Sequence, residues 1–358
     1  MKLLDRYIIK KFLATFFFAI ILIISLAIVI DITEKMDDFI DKKAPLENIV
    51  FDYYLNFIPF YTNLFMFLFI FIAVVFFTSK LASHSEIIAF LANGISFRRL
   101  LRPYFIAASV LAVFSFILSN FIIPPANAVR LDFEDTYVTG TYYNNERNIH
   151  KQIEPGVFIY MESFKTVTNT GYKFSIEKFD GKELKSKLMS QMVRWKEDAQ
   201  TWEIRNYQIR DFTETGEKLT TGSIMDSTIN ITPADFEGKD NDKMTLNYFE
   251  LNELIEDKRL RGETDINSYL LEKHQRLAFP FSTFILTLIG VSVASKKTRG
   301  GTGLNLGIGL LISFSYIFFM QISAQFSLKG NLDPWLSAWI PNLLFAVVAG
   351  FLYQRAPK

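Results

Sequence analysis

Six long windows without a charged residue are the feature that most constrains this chain. About 20 helical residues, each rising about 1.5 Å, cross the hydrocarbon core of a bilayer. Half of the 358 residues are hydrophobic and 37 are Phe, which is too apolar for an ordinary soluble domain of this size. The sequence therefore predicts six transmembrane helices, in the windows 12–30, 53–79, 103–129, 277–295, 300–328 and 334–354.

The distribution of lysine and arginine predicts which helix ends face the cytoplasm. With a cytoplasmic N-terminus, the inner flanks carry 13 Lys and Arg residues and two acidic ones, whereas the short outer loops carry four basic and eight acidic residues. Because short cytoplasmic loops are enriched in Lys and Arg, we expect both termini in the cytoplasm. The net charge of +1 gives no indication of nucleic acid binding.

A polar insert separates the third and fourth windows, on the outer face. Turn signals such as Asn169 and Gly181 separate runs of strand-like alternation, at 157–161, 172–176, 202–204 and 207–209. Several short strands at such spacing indicate an all-β sandwich, jelly roll or barrel. The predicted organisation is transmembrane helices 1–3 in residues 1–129, a β-jellyroll-like domain in 130–247, a helical return segment in 248–276 and transmembrane helices 4–6 in 277–358.

Several kinds of chemistry are disfavoured. The chain has no Cys, and its three His are far apart in sequence and form no HExxH motif, so no metal site is expected. The glycine-rich stretch 299–307 has no GK[ST] and follows no strand, so Gly303, Gly307 and Gly309 are expected to pack closely against a neighbouring helix. We expect no catalytic residues. A charged side chain in the middle of a span, typical of ion-coupled transporters, is also missing.

The segment 83–103 combines a short helix, predicted at 84–94, with the start of the third span. Ser83 and Glu86 fit a capping box, Gly94 fits a left-handed helix end, and Ser96 fits a cap for the next helix. The apolar residues between them are too few to cross a membrane. Two interpretations stay open on this basis, a helix lying on the membrane surface and a coupling helix that seats in a groove of a cytoplasmic partner.

Five short motifs carry a resemblance to a known family. They are Ser85-Glu86-Ile87-Ile88-Ala89 through Asn93-Gly94-Ile95-Ser96, Arg276-Leu-Ala-Phe-Pro280, Leu288-Ile-Gly-Val-Ser292, Arg299-Gly-Gly and Trp339-Ile-Pro341-Asn342. In this order, together with the 3 + β domain + 3 plan, they resemble the LptF/LptG permeases (YjgP/YjgQ family) of lipopolysaccharide export. The resemblance covers nearly the whole chain and does not distinguish an F-like from a G-like subunit.

The resemblance implies a permease subunit of an ABC-type exporter in the inner membrane of a Gram-negative bacterium. Such a subunit extracts lipopolysaccharide and passes it to a periplasmic jellyroll bridge. Its implied partners are a second LptF/LptG-type permease and a cytoplasmic ATPase dimer, which binds ATP and Mg, so this chain needs no cofactor. The family suggests that the first and fifth spans form lateral gates.

The same resemblance implies which residues meet the ATPase and the substrate. Glu86 would contact a basic residue of the ATPase, and Ile87, Phe90 and Leu91 would fill its groove. The implied coupling residues are Ser85, Glu86, Ile87, Ala89, Phe90, Leu91, Asn93 and Gly94. The candidate contacts for lipid phosphates are Lys35, Lys42, Lys43 and Arg130.

One departure from the family concerns the outer end of the first span, where acidic residues precede Lys35 as Asp31-Ile-Thr-Glu34. A head group with fewer phosphates, or bridging cations, would fit this arrangement. Two other functions are weighed against export. One is a membrane-anchored sensor with an outer β domain, and the other is a lipoprotein-releasing or MacB-like permease, in which the outer domain follows the first span rather than the third.

Overall fold

The computed structural model describes residues 3–139, 147–213, 216–236, 242–261, 266–296 and 301–356. The chain divides into two compact units. The first comprises Met1–Val138, Met244–Leu251 and Asn267–Lys358, and the second comprises Thr139–Lys243 and Asn252–Ile266. The first is helical, and the second contains the sheet.

Six helical segments in the described part of the chain are long and apolar enough to cross a membrane, which confirms the predicted number. Short π-helical turns join some of the helices end to end. The helices are α1 (Leu3–Asp41), α2 (Leu46–Asn48), α3 (Leu55–Ser83), α4 (Glu86–Ala92), α5 (Phe97–Ile117), α6 (Ile123–Glu134), α7 (Tyr248–Arg261), α8 (Ile266–Ala294), α9 (Gly301–Leu328) and α10 (Pro334–Gln354), and the π-helical turns are Ile49–Tyr54, Leu118–Ile122 and Asp135–Thr139.

Several helices extend beyond the apolar windows. The third membrane segment runs as helix from Phe97 to Val138, so the predicted start of the β domain at residue 130 is too early and Arg130 lies in α6. Helices α7 and α8 occupy the predicted return segment, but α8 continues without a break into the fourth span. Polar residues at the ends of these helices account for the difference, because hydropathy locates the apolar part of a helix and not its ends.

Helix α3 lies at the centre of the helical unit, in contact with α1 and α9. Helix α1 packs on α3 and α5 through buried residues spaced four apart, so it contributes roughly one buried residue per turn. These residues are Ile8, Phe12, Phe16, Ile20 and Ile24.

Close contacts at two glycines show how α8 and α9 approach α3. A Cβ atom on Gly290 would lie 2.8 Å from Val74 Cγ1, and one on Gly309 would lie 2.8 Å from Phe71 Cε1. The packing role predicted for Gly309 is therefore confirmed. It is wrong for Gly303 and Gly307, where an added Cβ would meet nothing within 4 Å.

The second unit contains an open, six-stranded antiparallel sheet in which each strand pairs with its neighbours in sequence. This agrees with an inserted, jellyroll-like β domain. The sequence located parts of the second, third and fifth strands and missed the others. The strands are β1 (Arg147–Glu154), β2 (Val157–Lys165), β3 (Thr170–Asp180), β4 (Glu183–Lys196), β5 (Thr201–Thr213) and β6 (Gly216–Ser227).

The alternation of apolar residues changes at the same level in four neighbouring strands. Successive members of the apolar face are three residues apart there instead of two, and Lys173 and Asn206 adopt left-handed backbone with φ of 49° and 51°. Ser190 is buried at this level, and its hydroxyl donates to the carbonyl of Arg205 at 2.6 Å. We call this level the break line. It lies between Met161 and Phe164 in β2, Gly171 and Phe174 in β3, Ser190 and Val193 in β4, and Ile204 and Tyr207 in β5.

One end of the apolar face is covered by the segment that follows β6. The indole N–H of Trp202 donates to the carbonyl of Ile231 at 2.9 Å. Phe236 packs against Phe164, with 4.7 Å between ring centroids, and against Trp202. The domain core therefore lies between one face of the sheet and residues 229–236.

Candidate functional site

Helix α4 has defined ends, although its start differs from the prediction. Ser85 is the residue before the helix, with φ of 62°, and makes no side-chain cap. The Ser83 hydroxyl donates back to the Lys80 carbonyl at 2.9 Å, and Glu86 is the first helical residue. The predicted capping box is therefore wrong, because it requires Glu86 at the third helical position.

The end of α4 matches the sequence-based expectation. Gly94 has φ of 79°, its N–H donates to Leu91 O at 3.0 Å, and Ile95 N–H donates to Phe90 O at 3.1 Å. These two bonds form a Schellman motif. Ser96 then caps α5 by accepting from the Arg99 N–H at 3.3 Å. Only four residues separate α4 from α5, and both helix ends there are hydrogen-bonded.

The side chains of α4 divide into an inner and an outer set. Ile87 is fully buried and belongs to the apolar cluster that includes Leu81 of α3 and Leu100 of α5, with Phe90 and Leu91 partly buried against the cluster. Ile87 therefore does not offer its side chain to a partner groove in this structure, contrary to what the resemblance implied. The outer set comprises Ile88, 54% exposed, Glu86, whose side chain is 35% exposed, and the exposed Ser85, Ala89, Asn93 and Gly94.

An ion pair joins the start of α5 to the start of α1. Arg99 Nη1 and Nη2 donate to the two carboxylate oxygens of Asp5, at 2.6 and 2.8 Å. Asp5 is 6% exposed. Sequence reasoning missed this pair, since the two residues lie 94 positions apart in the chain.

A polar cluster lies at the opposite end of α1. Asp31 accepts a hydrogen bond from the Tyr54 hydroxyl at 3.0 Å, and Lys35 Nζ lies 3.2 Å from Asp31 and 2.9 Å from Glu134. Arg130 also contacts Glu134, at 3.1 Å. We call the residues Asp31, Lys35, Tyr53, Tyr54, Arg130 and Glu134 the outer cluster.

The four basic residues predicted to meet the substrate are in different states. Lys35 and Arg130 share the Glu134 carboxylate inside the outer cluster, so much of their charge is neutralised within the chain. Lys42 donates to the Val138 carbonyl at 2.9 Å. Lys43 is exposed and has a left-handed backbone with φ of 52°. The structure thus brings Lys35 and Arg130 together and leaves Lys43 outside this cluster.

In the β domain, a charged group stands beside the apolar face. Glu203 follows the buried Trp202 and forms salt bridges with Lys196 at 2.8 Å and with Arg205. Hydrogen bonds from Lys196 and Arg205 hold the pKa of Glu203 below its usual value. Within the described ranges no group of three or more His, Cys, Asp and Glu residues could hold a metal ion.

Comparison with known proteins identifies the family. The model of the lipopolysaccharide export system permease LptF/LptG matches residues 6–355. The chain belongs to this family. Comparison with individual curated proteins gave no match. As an LptF/LptG permease with six membrane-spanning helices, it is a multi-pass protein of the inner membrane and a transport subunit for lipopolysaccharide.

Two of the sequence motifs that carry the resemblance make buried contacts near the proline-containing parts of α8 and α10. The Asn342 side-chain amide donates to Ala278 O at 2.8 Å and accepts from the Tyr316 hydroxyl at 2.9 Å. Arg276 is buried and donates to Glu272 at 2.8 Å and to Leu246 O at 2.8 Å. Asn342 therefore links α10 to α8 and α9, and Arg276 links α8 to the residue two positions before α7.

Proposed function

We propose that this permease is the membrane subunit of an ABC-type exporter, driven by a cytoplasmic ATPase dimer that binds α4. The observation that carries the proposal is α4 itself, a short helix between the second and third membrane segments with hydrogen-bonded ends and one face packed on its own chain. A helix held in this way presents its outer face with little conformational entropy left to lose, which favours docking in a groove.

The outer set of α4 supplies the contacts in this proposal. Glu86 pairs with a basic residue of the ATPase, while Ile88 and Ala89 enter the groove. Phe90 and Leu91 support the helix from its flank, and Ile87 anchors it to the core. ATP and Mg belong to the ATPase, and this chain contributes no cofactor.

Lipopolysaccharide then leaves the membrane through a cavity completed by a second LptF/LptG-type permease. Helices α1 and α9 support this arrangement, because only 17% and 22% of their apolar windows are buried within the chain, against 61% for α8. Lys42 and Lys43 are the first candidates for head-group contact, with Lys35 and Arg130 as secondary ones because Asp31 and Glu134 already pair with them.

The β domain receives the acyl chains in the next step. Its apolar face suits them, since each buried CH₂ contributes about 0.8 kcal/mol. Strand β6 pairs on one side with β5, and its side chains are largely exposed. Its other edge pairs with no strand of the described residues and is therefore suited to pairing with a strand of a periplasmic jellyroll bridge protein.

Co-purification of the ATPase with single variants tests the proposed coupling. Glu86→Ala and Ile88→Asp are expected to lower the retained ATPase roughly tenfold, because each removes a contact worth about 1.4 kcal/mol or more. Asp37→Ala, which alters an exposed acidic residue far from α4, is the matched control and should retain the ATPase.

The exposed position of Ile88 makes it a better probe than Phe90, because Phe90 packs partly against the core and its loss would also disturb folding. Equal elution profiles in size-exclusion chromatography establish that the variants fold. If both α4 variants keep the ATPase and export lipopolysaccharide as the parent does, the coupling role is wrong, and a membrane-anchored sensor that needs no ATPase becomes the better interpretation.

A further inference from the structure

We propose that the ion pair between Asp5 and Arg99 is the link that transmits a displacement of α4 to α1. The inference rests on the proposed function, because it takes α4 as the place where the ATPase acts. It adds a specific pair of positioning residues and names the membrane helix that follows the movement.

The geometry of the pair suits transmission. Each terminal guanidinium nitrogen of Arg99 donates to a different carboxylate oxygen of Asp5, at 2.6 and 2.8 Å, and a two-point contact fixes orientation as well as distance. The side chains are 24% and 9% exposed for Arg99 and Asp5, so water competes with the pair less than at an open surface.

The position of Arg99 in its helix also marks a specific use. It lies in the first turn of α5, where the helix dipole disfavours a cation. Arg98 and Arg102 stand in the same region with exposed side chains. Arg99 instead turns to a carboxylate in the first turn of α1, where the dipole favours the negative charge.

The connection from α4 to Arg99 is short and fixed. The Schellman motif at Gly94 and the Ser96 cap occupy the four residues between the helices. Ile87 anchors α4 to a cluster that also contains Leu100, the residue after Arg99. A displacement of α4 by a partner bound to its outer face therefore also displaces the first turn of α5.

Helix α1 is the element best able to respond. It is attached along its length by roughly one buried residue per turn, and 17% of its apolar window is buried, against 61% for α8. Its two ends are held by polar contacts, the Asp5–Arg99 pair at one and the outer cluster at the other. Displacing Arg99 thus acts on the first turn of a helix most of whose apolar window lies outside the packed interior of the chain.

Vesicles containing the whole exporter test the link. The variants Asp5→Asn and Arg99→Gln are assembled with the ATPase and the second permease, and ATP hydrolysis and release of lipopolysaccharide are measured. We expect the ATPase to remain bound and to hydrolyse ATP within about twofold of the parent, while release falls at least tenfold. Arg98→Gln and Arg102→Gln are the matched controls and should leave release unchanged.

Reversing the pair, with Asp5→Arg and Arg99→Asp in one chain, separates transmission from a merely structural role and should restore release to within a few-fold of the parent. Because the chain has no Cys, spin labels at Leu3→Cys and Arg98→Cys report the distance between α1 and α5. In the parent this distance should stay constant when ATP binds. In Asp5→Asn the distribution of distances between the two labels should become broader when ATP binds.

Two results would overturn the inference while leaving the proposed coupling intact: unchanged release in both single variants, or loss of release that the reversed pair does not recover although it folds and hydrolyses ATP. Failure of the proposed coupling is recognised separately, because in that case Glu86→Ala leaves ATPase binding unchanged in the parent background.

Discussion

At the level of single residues, the neighbours of a side chain decide what it can do more than its residue type does. Lys35 and Lys43 are both lysines near the C-terminal end of α1, yet one is paired with Asp31 and Glu134 and the other is exposed. Glycines differ in the same way. Gly290 lies against Val74, whereas Gly307 faces open space.

The two glycines give a paired prediction. Gly290→Ala places a methyl group 2.8 Å from Val74 Cγ1 and 3.2 Å from Val74 Cβ, so we expect a loss of about 1–3 kcal/mol from overpacking. Gly307→Ala adds a methyl group in open space and gains up to about 1 kcal/mol of helix propensity. Thermal unfolding in detergent measures both. Equal midpoints for the two variants would contradict the proposed close contact of α8 with α3.

Sequence reasoning succeeded at residues whose role depends on backbone conformation and failed where it depends on distant neighbours. Gly94 and Ser96 act at helix ends as predicted, since local sequence determines these hydrogen bonds. Ile87 was assigned to a partner because the pattern of an apolar face does not tell whether the chain itself covers that face. The contacts of Asp5 and Asp31 likewise depend on residues on other helices.

At the level of elements, the helices were predicted well because a charge-free stretch of about 20 residues is typical of a membrane-spanning helix and rare in soluble domains. The strands were harder. Strand β4 has three buried residues among its 14, one of them the polar Ser190, and β6 exposes most of its side chains. Neither strand therefore gives the simple period of two on which strand prediction depends.

Acid should destabilise the β domain through β5. Because Lys196 and Arg205 lower the pKa of Glu203 in the folded state, the folded state favours the carboxylate. The resulting stabilisation is complete above the unfolded pKa of about 4.3 and is lost as the pH falls through the lower, folded pKa. We expect the domain to lose stability below about pH 4.

Fluorescence of Trp195 and Trp202, whose rings lie 5.2 Å apart, follows this transition in the full chain, with Trp335 and Trp339 replaced by Phe. Glu203→Gln should make the fluorescence change less dependent on pH. Glu217→Gln, at a side chain 54% exposed, is the control. An identical acid transition in the parent and in Glu203→Gln would show that this carboxylate has no such role.

At the level of the whole molecule, the positions of the charge-free windows and of the polar insert predicted the order of three spans, β domain and three spans. They did not predict how the two halves of the chain pack around α3. Both glycine contacts on α3 come from the second half of the chain, from α8 and α9. Which spans meet at such contacts depends on three-dimensional packing, and charge-free windows carry no information about it.

Orientation in the membrane remains a prediction from Lys and Arg counts, and it can be measured directly in this Cys-free chain. Cysteines at Asp37 and Lys329 should react with a membrane-impermeant thiol reagent in cells whose outer membrane is permeabilised. A cysteine at Ser83 should react only after the inner membrane is broken. Labelling of Ser83→Cys before that step would reverse the topology and place α4 on the wrong side for an ATPase.

The break line has a consequence for how the β domain tolerates change. A shift of one strand by a single residue would turn its apolar side chains to the other face. It would also move the change of alternation in that strand away from the same change in its neighbours. A shift by two residues would return the apolar side chains to the correct face but would leave the break line misaligned. The break line is therefore compatible with only one register of strands β2 to β5. A one-residue insertion in these strands should destabilise the domain far more than one in the turns at Asn169 and Gly181, even when the inserted residue is itself a good strand former.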